Sequence, residues 1–273
     1  MSRRWARLLP STLALAVIGC AQLSSGTKAL DEALLGERAL VAGDGVEHLI
    51  YRRGNWEQPG PVHVYLEGDG LPWVTRTAIA RDPTPRNPLA LRLMSRDPAP
   101  SLYLGRPCYH GLADSPGCSP WLWTHGRYSE EVARSMAAAL RRALGRDSDR
   151  EIMLIGYSGG GVLAMLIAAR VEQVTRVVTV AANLDIDAWT RHHSYSRLRG
   201  SLNPATQLPL PSRVRQIHLA GGRDVRVPPD LSQPVANRQP DADFFVFPEY
   251  DHRCCWERDW PSILARLDTP ETR

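Results

Sequence analysis

Apolar and polar positions divide the chain into short β-rich runs separated by helical patterns. Runs of β-branched and aromatic residues bounded by turn residues predict strands over 38–42, 46–52, 62–66, 101–104, 151–155, 176–181, 214–220 and 243–247. Gly43-Asp44-Gly45 separates the first two, and its Asp-Gly step predicts a hairpin. Val132, Met136, Leu140 and Leu144 recur every four residues behind Ser129, which suits an N-cap, with Glu130 and Glu131 in the first turn. An apolar helix over 160–171 follows the fifth run. A last helix over 256–267 closes the chain, with Pro261 expected to kink it or move its start. An opening hairpin followed by strands alternating with helices predicts an α/β fold: a mostly parallel, eight-stranded sheet covered on both faces. Two stretches break the alternation. Residues 83–100 are proline-rich around a short helix, and 189–211 hold His192, His193 and Tyr195 in irregular sequence. Both are expected as inserts that either cap a site or run over the surface.

The amino terminus has its own pattern. Arg3, Arg4 and Arg7 precede an apolar stretch from Leu8 to Ile18, interrupted by Pro10, Ser11 and Thr12. The stretch is too short to span a bilayer and suits a secretory signal. It ends in Val17-Ile18-Gly19-Cys20, which resembles the lipobox of bacterial lipoproteins. That resemblance implies a signal peptide over 1–19, lipid on Cys20, a polar tether through residue 36 and a folded domain over 37–273. In that family an aspartate after the cysteine retains the protein at the inner membrane. Ala21 stands there in this chain, which favours the outer membrane of a bacterial envelope.

Composition then narrows the classes. With 273 residues, 43% hydrophobic and 23% charged, the chain can bury a large core, so disordered and multi-span membrane classes fall away. Three of the basic residues behind the formal charge of +4 are Arg3, Arg4 and Arg7, so the remainder is nearly balanced. Lys28 is the only lysine, an excess of arginine that reads as codon bias rather than phosphate recognition. No basic run is interleaved with aromatics, which argues against nucleic-acid binding. Export places Cys108, Cys118, Cys254 and Cys255 in an oxidising compartment. Cys108 and Cys118 flank a short loop of Pro, Gly and Ser and are the preferred disulfide. Cys254 and Cys255 are adjacent, and a vicinal disulfide, free thiols or pairing with the other two all remain open.

The chemistry centres on Gly156-Tyr157-Ser158-Gly159-Gly160-Gly161, which follows the strand run Ile152-Met153-Leu154-Ile155 and opens an apolar helix. A serine at a sharp strand-to-helix turn has its hydroxyl lifted clear of the sheet, with a helix N-terminus aimed at developing negative charge. The segment resembles the nucleophile elbow of the α/β-hydrolases. That resemblance implies an acid and a histidine further along, in that order. Asp224, in Gly221-Gly222-Arg223-Asp224 after the seventh strand run, matches the acid. His252, after the eighth run, matches the base. Asp185 and Asp187, after the sixth run, are the rival carboxylates. The oxyanion hole is expected from the N–H groups of Gly159 and Asp69, with Gly70 as alternative. The loop here reads Glu67-Gly68-Asp69-Gly70, a glutamate where the family often carries histidine. Its two carboxylates need partners, for which Arg76 and Arg127 are candidates.

Other residues receive plainer readings. His48, His63 and His218 sit within strands and read as packed or surface groups, and His110 and His125 as structural. The His192-His193 pair lacks the spacing of metal ligands on a helix. Trp73, Trp121, Trp123 and Trp189 are expected as core or loop anchors. Arg223 and Arg226, near the acid, hint at an anionic group by the pocket. The resemblance implies a serine hydrolase acting on a small-molecule or lipid ester, with no metal or organic cofactor. It leaves open thioesterase, amidase or acyltransferase chemistry on the same triad, and a catalytically silent lipoprotein that uses the fold for binding or envelope scaffolding. Oligomeric state is not legible.

Overall fold

The computed structural model describes residues 36–147 and 149–268. The expectations for the signal peptide, Cys20 and the tether lie outside these residues, apart from Gly36. Eight strands form one sheet: β1 (Glu37–Ala42), β2 (Glu47–Arg53), β3 (Val62–Leu66), β4 (Ser101–Leu104), β5 (Ile152–Tyr157), β6 (Val174–Val180), β7 (Arg215–Gly221) and β8 (Ala242–Phe247). Their order is β1-β2-β4-β3-β5-β6-β7-β8. The β1–β2 and β2–β4 pairs are antiparallel and every other pair is parallel.

Among the described residues, six helices cover the sheet: α1 (Leu89–Ser95), α2 (Glu130–Leu144), α3 (Gly159–Ala168), α4 (Ile186–His192), α5 (Pro229–Ala236) and α6 (Trp256–Asp268). The strand period of two decides which side chains meet which helices. In β3, Val62, Val64 and Leu66 join the core under α2 and α3, while Tyr65 joins the opposite core with α1 and α6. β3 and β5 are buried at every position, as strands covered on both faces require. β8 lies at the sheet edge, and Phe245 and Val246 there are exposed. Among the described residues, no helix is long and apolar enough to cross a membrane.

The helix boundaries correct the sequence reading in several places. Ser129 caps α2 as expected, its side chain accepting from the Val132 N–H. Helix α6 runs from Trp256 to Asp268 through Pro261, so the proline neither ends the helix nor sets its start. The insert expected from Trp189 is partly regular, because α4 already starts at Ile186 behind Asp185. That aspartate caps the N–H groups of Asp187 and Ala188. Helix α5 carries Pro229 and Pro234 and had no apolar periodicity to betray it.

Candidate active site

The β5–α3 junction sets the site. Ser158 holds φ 51° and ψ −121°, a left-handed conformation that costs a non-glycine residue about 1–3 kcal/mol. It is the N-cap of α3, yet its side chain makes no capping bond, so Oγ stays available. The helix can start this close to β3 because a Cβ on Gly160 would overlap the Leu66 carbonyl.

The structure brings three of the expected residues into one chain of hydrogen bonds. His252 Nε2 lies 3.1 Å from Ser158 Oγ, and His252 Nδ1 lies 2.7 Å from Asp224 Oδ2. A carboxylate only accepts, so Nδ1–H donates to Asp224 and Nε2 is left to accept from the serine hydroxyl. Asp224 is held in turn: its Oδ1 accepts from the N–H groups of Arg226 and Val227 at 2.8 and 2.9 Å, and its side chain is fully buried. The histidine loop is shaped by Asp251, whose Oδ1 accepts from the N–H groups of Arg253 and Cys254. Those two bonds hold the Asp251 carboxyl below its ordinary range. The rival carboxylates lie elsewhere. Asp185 caps α4 and accepts from Asn203 at 2.9 Å, and Asp187 pairs with Arg197.

The loop after β3 abuts the elbow. A Cβ on Gly159 would collide with the Asp69 carboxylate and the Tyr128 hydroxyl, and one on Gly68 would come within 3.3 Å of Ser158 Cβ. Gly159 and Asp69 are therefore neighbours across the site, while Gly70, which also lines the cleft, takes φ +65° with its Cβ position against Pro83 and Pro85. The Asp69 carboxylate is clamped by Arg106 Nη1 at 2.6 Å, Arg127 Nη1 at 2.9 Å and the Tyr128 hydroxyl at 2.6 Å. Its carbonyl accepts from the Tyr109 hydroxyl at 2.8 Å. Burial alone would raise the Asp69 carboxyl, but Arg127, Arg106 and Tyr128 outweigh it and hold it at about 2. Glu67 makes no ion pair among the described residues, and the nearby Arg92, paired with Glu257, only partly offsets its burial. Its oxygens accept from the N–H groups of Gly68 and Ala90, each at 3.0 Å, and burial pushes its carboxyl up to about 7.

Arg127 thus meets the need foreseen for it, whereas Arg76 does not and lines the cleft instead. Sequence reasoning missed Arg106, Tyr109 and Tyr128. The only nearby signal was the cysteine pair, because Arg106 and Tyr109 flank Cys108. The Cys108 and Cys118 sulfurs lie at bonding distance, with Cα atoms 5.5 Å apart, and the same holds for Cys254 and Cys255, with Cα atoms 3.2 Å apart.

Above Ser158 opens a cleft of about 1090 Å³. Its walls correct several plain readings. Trp73, Trp189, His125 and His193 line it, while Trp123 is core and Trp121 is half exposed. Trp189 Nε1 and His193 Nε2 both donate to the Arg226 carbonyl at 2.8 Å, which pins the C-terminal end of α4 over the acid loop. Arg226 lines the cleft, but Arg223 pairs with Glu249 outside it. The strand histidines are packed: His48 on Gly105 and Ser135, His63 on Asp97, His218 on Thr179.

No protein-family model matches the sequence, and neither does any curated protein. Solved structures do. A serine hydrolase homologue from Coxiella burnetii superposes with a TM-score of 0.57 at 14% identity, over 85% of this chain and 97% of that one. An esterase from Pyrococcus furiosus gives 0.59 at 14% identity, over 87% and 93%. A bacterial membrane phospholipase A gives 0.56 at 16% identity, over 91% of each chain. With its eight-stranded, mostly parallel sheet, the chain has the fold of the α/β serine hydrolases and esterases.

Proposed function

We propose that the protein is a serine hydrolase that cleaves a carboxylic ester through an acyl-enzyme. The observation that carries this reading is the bonded series Ser158–His252–Asp224 at 3.1 and 2.7 Å. Ser158 Oγ attacks the acyl carbon while its proton passes to His252 Nε2. The N–H groups of Gly159 and Asp69 receive the oxyanion of the tetrahedral intermediate. The imidazolium, stabilised by Asp224, then protonates the departing alcohol and leaves the acyl group on Ser158. Water repeats the sequence: His252 takes its proton, hydroxide attacks, and the acid leaves with Ser158 reprotonated.

A fluorophosphonate probe on the full chain in detergent tests this. Wild type should gain one adduct at Ser158, and Ser158→Ala should gain none and lose on the order of 10⁴–10⁶-fold in ester turnover. No adduct on folded protein, or one that persists in the variant, refutes the reading.

The location belongs to the same proposal: an envelope enzyme tethered through lipid on Cys20, with the Cys108–Cys118 bridge formed after export. Acyl chains at about 0.8 kcal/mol per buried CH₂ would hold a multiply acylated cysteine firmly. Palmitate incorporation should disappear in Cys20→Ser, and non-reducing peptide maps should pair Cys108 with Cys118. Equal labelling of both proteins removes the lipid anchor, and free thiols remove the bridge.

A further inference from the structure

The cleft above Ser158 has an unbalanced charge. Six arginines line it: Arg76, Arg86, Arg92, Arg127, Arg226 and Arg253. Two have partners. Arg92 pairs with Glu257 at 2.8 Å and Arg127 with Asp69 at 2.9 Å. Among the described residues, Arg76, Arg86, Arg226 and Arg253 make no ion pair and no side-chain hydrogen bond, and all four are exposed. The carboxylates in the lining cannot answer them. Asp69 is already shared by two guanidinium groups, and Glu67 is buried and engaged by backbone N–H groups. Elsewhere on the surface some arginines find carboxylates, as in Arg134–Asp44, Arg197–Asp187 and Arg223–Glu249, and others such as Arg38, Arg191 and Arg199 stand apart from one another. What distinguishes the cleft is that four arginines without an ion pair line one opening, with Asp251 near Arg253 as an electrostatic neighbour outside the lining.

Their positions relate to the reacting atoms. Arg253 follows His252, and Arg226 lies two residues after Asp224. The backbone of Arg226 is fixed on both sides, its N–H on Asp224 and its carbonyl under Trp189 and His193. Arg76 and Arg86 come from the loop after β3. The same mixed wall carries exposed apolar and aromatic groups: Leu71 is 41% exposed, Val225 79% and Tyr195 54%, alongside Trp73 and Trp189. Guanidinium groups bind oxyanions by paired N–H donors, and exposed apolar and aromatic surface binds hydrocarbon.

Resting on the serine hydrolase reading, we infer that the substrate is an anionic amphiphile. It is a fatty acyl ester whose alcohol part carries phosphate, with the phosphate among Arg76, Arg86, Arg226 and Arg253 and the chain along the Trp73–Trp189–Tyr195 wall.

The test compares 1-acylglycerol 3-phosphate with the 1-acylglycerol of the same chain, in nonionic micelles, on the full-length protein. Fatty acid release should favour the phosphate ester by at least about 10-fold in kcat/KM. That ratio should shrink by about 10-fold in Arg76→Gln/Arg86→Gln, and also as salt rises from 0.05 to 0.5 M, because exposed charges are screened. A ratio on one protein cancels any loss of folded material. Calorimetric binding of both lipids to Ser158→Ala reads the site without turnover, and free glycerol 3-phosphate as competitor separates anion recognition from lipid recognition. Competition by glycerol 3-phosphate supports the anion subsite by itself. Turnover with no preference, or equal binding of both lipids, overturns the inference and leaves the hydrolase reading intact. Preferential binding of the phosphate lipid by a protein with no turnover and no Ser158 adduct supports the subsite and refutes the hydrolase.

Discussion

Replacing Asp69 by asparagine keeps the shape of the side chain and its backbone N–H but removes the charge shared by two guanidinium groups. Arg106 and Arg127 are 1% and 6% exposed, so neither can turn to water for compensation. Removing one partner of a buried ion pair costs about 3–5 kcal/mol, and the retained amide oxygen offsets part of that. The carboxyl gives a second measure. Its value falls from 3.8 to about 2 on folding, which at 1.36 kcal/mol per pH unit is about 2 kcal/mol. A depressed carboxyl stabilises the fold above its unfolded value of 3.8 and loses that contribution as pH falls toward 2. Asp69→Asn should therefore cost about 2–4 kcal/mol at pH 7, a drop in Tm of roughly 5–15 °C for a domain of this size. The gap to wild type should be narrower by about 1 kcal/mol at pH 3. Urea titrations of both proteins at the two pH values measure it. A variant within about 2 °C of wild type at pH 7, or a gap that does not change with pH, refutes the account of the clamp.

The remaining predictions concern the acid and the second carboxylate of the β3 loop. Asp224→Asn should lower turnover by on the order of 10⁴-fold with little change in fold, since the histidine tautomer is lost. Asp185→Asn should leave turnover near wild type, since asparagine caps α4 about as well as aspartate, and an inactive Asp185→Asn beside an active Asp224→Asn would move the acid to Asp185. Glu67 is raised by burial from 4.5 to about 7, so the folded state binds a proton that the unfolded state releases. Wild-type stability should accordingly fall by about 3 kcal/mol between pH 4.5 and pH 8, a slope that Glu67→Gln lacks. Parallel stability profiles for the two proteins across that range would show that Glu67 is not the buried acid described.

Much of the fold was written locally. The strand runs showed as β-branched and aromatic stretches between turn residues, and the helix behind Ser129 by its period of four. The order of the chemistry was local too. Gly156 to Gly161 suits a tight strand-to-helix turn, and an aspartate after the seventh strand and a histidine after the eighth fitted a pattern of chain order, with Asp185 and Asp187 left as rivals. Helix α5 escaped because prolines broke its pattern, and α4 because its seven residues are too few to show a period.

The surroundings of the triad were not local, and only packing decided them. Asp69 meets Arg106, Arg127 and Tyr128 across separations of 37, 58 and 59 residues. No spacing in a sequence encodes such a meeting, because it depends on which loops the sheet order β2-β4-β3-β5 sets side by side. Arginine identity was equally silent. Arg106, Arg223 and Arg226 look alike along the chain, yet folding buries the first, pairs the second with Glu249 and leaves the third unmatched over the cleft. Sequence determined which residues could do chemistry and in what order the chain presents them. Tertiary structure decided which charges are cancelled, because cancellation in a low-dielectric interior is a matter of distance in space.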